Sequence, residues 1–150
     1  MSAEATGAEP SEAELAQWRR QESAYADSPI HESLGLRLSV RGAGEVEVRY
    51  DGSVAALNRW KIVAGGALAT IVDSAVSQAC RTLLGDNDAT STIELKTNFL
   101  KAVPQGAPLL AVGTVEHIGR TTGMGIARVK DASGRTVAFG TVMIAIKRGG

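Results

Sequence analysis

Leu36, Leu38 and Val40 alternate with Arg37, Ser39 and Arg41, and beyond Gly42-Ala43-Gly44 the residues Val46, Val48 and Tyr50 alternate with Glu45, Glu47 and Arg49. Two runs of period two joined by a glycine turn predict a β-hairpin with one buried face. From Gly65 to Leu84 the period changes. Leu68, Ile71, Val72, Ala75, Val76, Ala79, Cys80, Leu83 and Leu84 recur every three or four residues, and Gly85 follows as a stop. Its remaining positions are mostly small, among them Gly66, Ala67, Ala69, Thr70, Ser74 and Ser77. Little of this helix asks for water, so it is expected at the centre with other elements wrapped closely around it. Four strand-like runs follow, Ser91 to Leu100, Leu109 to Ile118, Met124 to Lys130 and Thr136 to Ile146. Their linkers are too short for parallel crossovers, so the sheet is expected to be antiparallel. Ahead of the hairpin, Ser11 and Glu14 match a capping box, and Leu15, Trp18 and Tyr25 predict a helix over residues 11 to 26 that Pro29 ends. Residues 1–10 lack apolar periodicity and are expected to be flexible. The pattern therefore predicts an α+β fold over residues 11–150, a single domain in which an antiparallel sheet wraps a long central helix, with an extra N-terminal helix.

At 150 residues the chain supports one core, and its 44% hydrophobic and 21% charged content excludes wholesale disorder. Uncharged runs such as Ala102 to Val115 fall short of the roughly 18 to 20 residues that span a bilayer, so no membrane partner is expected. The first ten residues carry glutamates and no basic or apolar leader pattern, so a cytoplasmic location is expected. A lone Cys80 with only His31 and His117 makes neither an internal disulfide nor a Cys/His zinc set, and no metal is expected. Sixteen basic and sixteen acidic residues cancel, against a nucleic-acid partner. The balance is uneven: residues 1–35 hold seven acids and two arginines, net −5, and residues 36–150 hold fourteen basic and nine acidic residues, net +5. A modestly basic body suits an anionic small ligand. Walker A, G-x-S-x-G, H-E-x-x-H and complete G-x-G-x-x-G motifs are absent from the sequence.

Between Gly65 and Gly85 only Asp73 and Arg81 are charged. Eight residues separate them, roughly 12 Å along a helix axis, so they do not pair at short range. Asp73 lies either on a narrow exposed stripe or in a cleft, where it serves as base or nucleophile. Gly65 and Gly66 open the helix; their N–H groups either bind a developing oxyanion or simply begin the helix where close packing needs no side chain. Gly65 and Asp73 are also roughly 12 Å apart, too far to meet at one reacting carbon. Two such helices set antiparallel by a two-fold axis bring the glycine end of one to the aspartate turn of the other, which predicts an obligate dimer.

The run N58-R-W-K-I-V-A-G-G-A-L-A-T-I-V-D73, the segment T92-I-E-L-K-T-N-F-L-K-A-V and the G119-R-T-T loop resemble the hotdog-fold thioesterases of the PaaI, or phenylacetic acid degradation, type. The resemblance covers about residues 30 to 147. Members carry an Asn, His-Gly-Gly six residues later, and an Asp nine residues beyond that His. Asn58, Gly65, Gly66 and Asp73 match this spacing. The resemblance implies a hotdog fold and an acyl-CoA thioesterase releasing free acid and CoA. It implies that Gly65 polarises the carbonyl through its N–H while Asp73 of the partner subunit activates water or attacks directly. It further implies that Asn58 positions the thioester or the water, that Thr92 hydrogen-bonds the water or Asp73, and that Arg120 faces the nucleotide or pantetheine end of CoA, with Lys96 and Lys101 as lesser candidates. Read from residue type alone, Asn58 is equally a turn former, Thr92 a β-former, and Arg120, Lys96 and Lys101 solvated charges.

Two positions depart from the pattern: Ala64 stands where the family has its histidine, and Lys61 where a glycine is usual. A missing imidazole lowers rate without removing base or oxyanion donor. Lys61 is expected to shape the pocket, meet an anion or remain a solvated surface lysine. CoA counts as part of the substrate, and no separate cofactor is expected. The different class left open is a hotdog module that binds acyl-CoA without turnover; a hydratase or dehydratase is disfavoured, because its paired Asp and His are not both present near the helix. Substrate contacts are expected from Gly66 and Ala64, an aliphatic lining from Leu68, Ile71 and Met124, and a structural role from His117. The working unit is expected to be a homodimer or a dimer of dimers, a homotetramer.

Overall fold

Ser11 begins the first helix as expected. Its hydroxyl accepts from the Glu14 N–H, and the Glu14 carboxylate accepts from the Ser11 N–H at 2.8 Å, closing a capping box at the start of α1 (Glu12–Ala26). These features come from a computed structural model that describes residues 8–150. Of the stretch expected to be flexible, residues 1–7 lie outside the described residues, and 8–10 run exposed into Ser11.

Pro29 does not act as expected. Helix α1 already ends at Ala26, capped by Asp27, and Pro29 opens a second short helix, α2 (Pro29–Leu34). At the first helical position a missing N–H costs nothing and the fixed φ suits the helix, so proline starts α2 instead of merely stopping α1. Gly35, at φ 65°, terminates α2. The hairpin follows as β1 (Leu36–Gly42) and β2 (Glu45–Tyr50), with Leu36, Leu38, Val46, Val48 and Tyr50 buried. A 3-10 turn over Val54–Ala56, which has no periodic signature, leads toward the central helix.

That helix, α3, spans Gly65–Arg81 and stops three residues short of Leu84. Thr82 explains the difference. Its hydroxyl donates to the Ala79 carbonyl at 2.7 Å and accepts from the Gly44 N–H at 2.6 Å, tying the helix end to the β1–β2 turn, and Leu83 and Leu84 continue in tight three-residue turns. Strands β3 (Ala89–Phe99), β4 (Leu109–Ile118), β5 (Thr122–Lys130) and β6 (Thr136–Lys147) start or end within two residues of the expected limits. The six strands form one antiparallel sheet in the order β1-β2-β4-β5-β6-β3, leaving β1 and β3 as its edges.

The sheet curves around α3, and glycines let it come close. A Cβ at Gly113 would lie 2.4 Å from the Ala75 carbonyl oxygen, one at Gly125 2.8 Å from Val76, and one at Gly140 3.0 Å from Val72. These inward positions have no room for even a methyl group. Helix α1 covers the opposite side of α3: Tyr25 Oη lies 3.0 Å from Ser74 Oγ, and the Gln21 and Gln17 amides donate to the carbonyls of Gln78 and Leu84. The result is a buried helix wrapped by a sheet, as the small residues of α3 predict. Among the described residues no helix is long and apolar enough to cross a membrane.

Candidate active site

Helix α3 begins without a side-chain cap, since Ala64 at the N-cap offers no acceptor. The Ala67 and Leu68 N–H groups bond the Ala64 carbonyl, while those of Gly65 and Gly66 have no acceptor among the described residues and are exposed. Two free donors at the positive end of a seventeen-residue helix suit a developing oxyanion. The Phe99 ring stands over Gly65, 3.4 Å from where a Cβ would be, and a Cβ on Gly66 would meet nothing within 4 Å. Gly65 shares a groove of about 280 Å³ with Asn58, Leu68, Phe99 and Leu100.

Asn58 shapes the approach to that groove. Its Oδ1 accepts from the Trp60 and Ile62 N–H groups at 3.0 and 3.4 Å, so the turn-forming role is present. Its amide nitrogen has no partner among the described residues and remains available to a ligand. The turn forces Lys61 to φ 59°, the only non-glycine residue at positive φ among those described. The glycine usual at this position is therefore explained by backbone conformation, and the exposed Lys61 side chain is solvated. Lys61→Gly is expected to raise stability by about 1 kcal/mol, since the left-handed conformation costs an L-residue roughly 1–2 kcal/mol. A denaturation midpoint that falls instead would contradict this.

Asp73 lies two turns along the same helix, half-buried, and Thr92 Oγ1 donates to its Oδ1 at 2.7 Å. Thr92 reaches it because it shares the inner face of β3 with Leu95 and Phe99, opposite Ile144 of β6. One carboxylate oxygen is thus fixed and the other is free for a proton or an electrophile.

Several expected residues do not join these groups within one chain. Lys96 pairs with Thr141 on the outer face of the sheet, away from α3, and Lys101 is exposed in the loop after β3. Arg120 tops the β4–β5 turn. Its guanidinium is exposed, and the turn is clamped by Arg148, which donates to the Gly119 and Arg120 carbonyls and pairs with Asp88 at 2.9 Å. Of the expected aliphatic lining only Leu68 reaches a groove. Ile71 is sealed in the core, and Met124 pairs with Met143 on the outer sheet face, because residues at even offsets along β5 point away from α3. His117, expected as a satisfied structural histidine, is exposed without a side-chain hydrogen bond among the described residues; after a register shift between Val115 and His117 it pairs with Met124 on the outer face of the sheet.

His31 is a residue near the site that sequence pattern did not single out for a role there. Its ring stacks on Tyr25 with centroids 3.7 Å apart, and Nδ1–H donates to the Tyr25 carbonyl at 3.1 Å. Burial pushes its pKa below the ordinary value, against the raising effects of that bond and of the nearby Asp73 charge. A neutral ring with Nδ1 protonated leaves Nε2 as an acceptor. Among the described residues no three His, Cys, Asp or Glu side chains gather as a metal set.

The sequence profile of the thioesterase superfamily matches residues 61–138, which include Gly65, Asp73 and Thr92. No curated protein matches by sequence. Among solved structures, the PaaI protein from the phenylacetic acid degradation operon of E. coli superposes with a TM-score of 0.80 at 22% identity, over 91% of this chain and 96% of that one. A conserved protein from Pseudomonas aeruginosa gives 0.76 at 30% identity, over 86% and 98%. A thioesterase from Haemophilus influenzae gives 0.79 at 14%, over 87% and 90%. The sheet wrapped on α3 is the hotdog fold of these proteins, and the chain belongs to the thioesterase superfamily as a thioester hydrolase.

Proposed function

We propose that the protein hydrolyses acyl-CoA thioesters to the free acid and CoA in a homodimer whose sites each combine Gly65 of one subunit with Asp73 of the other. The observation that carries this reading is the separation of the two groups: the free Gly65 N–H and the Thr92-bonded Asp73 carboxylate stand eight residues apart on one straight helix, about 12 Å. No single chain closes that gap, and a second antiparallel copy does.

The edge strand supports the dimer. β3 runs eleven residues with one side unpaired, and Ile93, Leu95, Phe99 and Leu100 are all exposed, the last two at 52% and 54%. A long apolar sheet edge is normally covered. Two β3 edges joined by a two-fold axis run antiparallel and draw their α3 helices alongside each other in opposite directions.

In the composite site the Gly65 N–H polarises the thioester carbonyl. Asp73 either takes the proton of an attacking water or attacks the carbonyl carbon itself. In the first case collapse of the oxyanion breaks the C–S bond, leaves the free acid and passes that proton to the departing thiolate. In the second the thiolate leaves and takes a proton from water, and a second water hydrolyses the acyl-aspartyl anhydride to free acid and restores the carboxylate. Asn58 offers its free amide to the thioester or the water. Arg120, unpaired among the described residues, offers a guanidinium to the CoA phosphates. The reaction needs no separate cofactor. A cytoplasmic location belongs to the same reading, in keeping with a lone Cys80 whose thiol is buried and pushed up to about 11.

Thiol release from short, medium and long acyl-CoAs, with sedimentation of the same sample, tests the proposal. The expected result is turnover by a dimer or dimer of dimers. Full activity in a monomer, or no turnover of any acyl-CoA, would overturn it.

A further inference from the structure

Asp73 and Arg81 are the two charged residues of α3, and the chemistry above uses only the first. With Ser77 they form a polar row at four-residue spacing along one side of an otherwise uncharged helix. Beside this row, between α1, α2 and the start of β3, runs a groove of about 440 Å³, a size that accepts a small-molecule ligand. Tyr25, whose hydroxyl lies 3.0 Å from Ser74 next to Asp73, and His31 line it, Gln78 and Arg81 continue the wall, and Thr90 closes it two residues before the Thr92 that holds Asp73.

The charges in this groove do not balance. Arg20 is paired with Asp86 at 3.0 Å. Arg81 is half-buried, donates through one nitrogen to the Asp88 carbonyl, and ion-pairs with no carboxylate among the described residues, because Arg148 holds the Asp88 carboxylate. Its other guanidinium nitrogens have no partner there either. The Gln78 amide oxygen is taken by Gln21, and its NH2 has no acceptor among the described residues. A half-buried cation with spare donors next to a free amide donor is complementary to an anion with several acceptor oxygens.

Resting on the thioesterase reading above, we propose that this groove holds the acyl group and that Arg81, with Gln78, binds a carboxylate at its far end, so that the preferred substrates are medium-length ω-carboxyacyl-CoA thioesters. The thioester lies at Asp73, and the roughly 12 Å of helix to Arg81 sets the span that the acyl chain must cover. A plain alkyl chain would lie along polar groups and leave the guanidinium unpaired, which disfavours it.

The test compares suberyl-CoA, octanoyl-CoA and ω-aminooctanoyl-CoA on the wild-type enzyme and on Arg81→Met. The wild type is expected to favour suberyl-CoA over octanoyl-CoA by at least about tenfold in kcat/KM, as for one charge-assisted contact, and to use the ω-amino thioester worst. In Arg81→Met the suberyl-to-octanoyl ratio is expected to fall to about one. Wild-type preference for octanoyl-CoA, or an unchanged ratio in the variant, would overturn the proposal. The ω-amino comparison needs no variant and decides the point if Arg81→Met does not fold. Calorimetric binding of suberyl-CoA and octanoyl-CoA to Asp73→Asn separates this inference from the catalytic one: tighter suberyl binding supports the groove whether or not Asp73 drives turnover, and equal binding sinks it.

Discussion

Asp73→Asn is expected to lower kcat at least about 100-fold while leaving the melting temperature nearly unchanged, because the replacement removes a base or nucleophile and keeps the shape of the side chain. The amide oxygen still accepts the Thr92 hydroxyl, which donates to the Asp73 carboxylate at 2.7 Å, so the local hydrogen bond survives. What is lost is the negative charge on the second oxygen, the one without a partner among the described residues. Thiol release at saturating acyl-CoA gives kcat, and calorimetry on the same preparation gives stability. A variant that matches the wild type would remove Asp73 from the chemistry; one that loses activity and stability together would make its role structural.

A large loss of stability is expected at Gly113, where the sheet presses on α3. Its missing Cβ would lie 2.4 Å from the Ala75 carbonyl oxygen, and backbone in the middle of a buried helix has no soft way to yield. Gly113→Ala is expected to cost about 3 kcal/mol, the upper part of the overpacking range, and to lower Tm by roughly 6–12 °C. Gly42→Ala is the internal comparison, since a Cβ there meets nothing within 4 Å and the residue is not at positive φ, so a shift of at most about 0.5 kcal/mol is expected. If the two variants melt together, the sheet does not press on α3 as described.

Where a residue's environment is set by its own neighbours in sequence, the pattern revealed it. The hairpin, α3 and strands β4 to β6 follow from patterns such as the alternation of Val46, Val48 and Tyr50 and the helical recurrence of Leu68, Ile71, Val72 and Ala75, because each buries a face. Strand β3 shows as a strand-forming run although neither of its faces is buried. The glycine pair and the isolated Asp73 were legible for the same local reason: a charge on a helix of small and apolar residues needs an explanation. Features created by distant segments were not legible. Helix α3 ends at Arg81 because Thr82 bonds Gly44, thirty-eight residues away in sequence. Helix α2 is six residues long, too short to show a period, and its proline reads equally as a stop or a start. His31 nears Asp73 only because α2 folds back on Tyr25, and the left-handed Lys61 follows from the turn that Asn58 closes. Ile71 and Met124 were drawn toward the site by their chemistry alone, whereas strand and helix phase send them elsewhere.

The central claim is that one site needs two chains, and mixed dimers test it most directly. Gly65→Pro deletes the N–H at the first helical position, where proline is tolerated, and Ala64 before it already has the extended backbone that proline requires, at φ −64° and ψ 144°. Gly65→Pro and Asp73→Asn homodimers are each expected to be nearly inactive. When the two variants are co-expressed in equal amounts, about half of the dimers carry both chains, and each such dimer keeps one intact site of two. Recovery of about a quarter of wild-type activity is the result predicted from that symmetry. Activity of the mixture no greater than that of the separate homodimers would contradict a site shared between subunits.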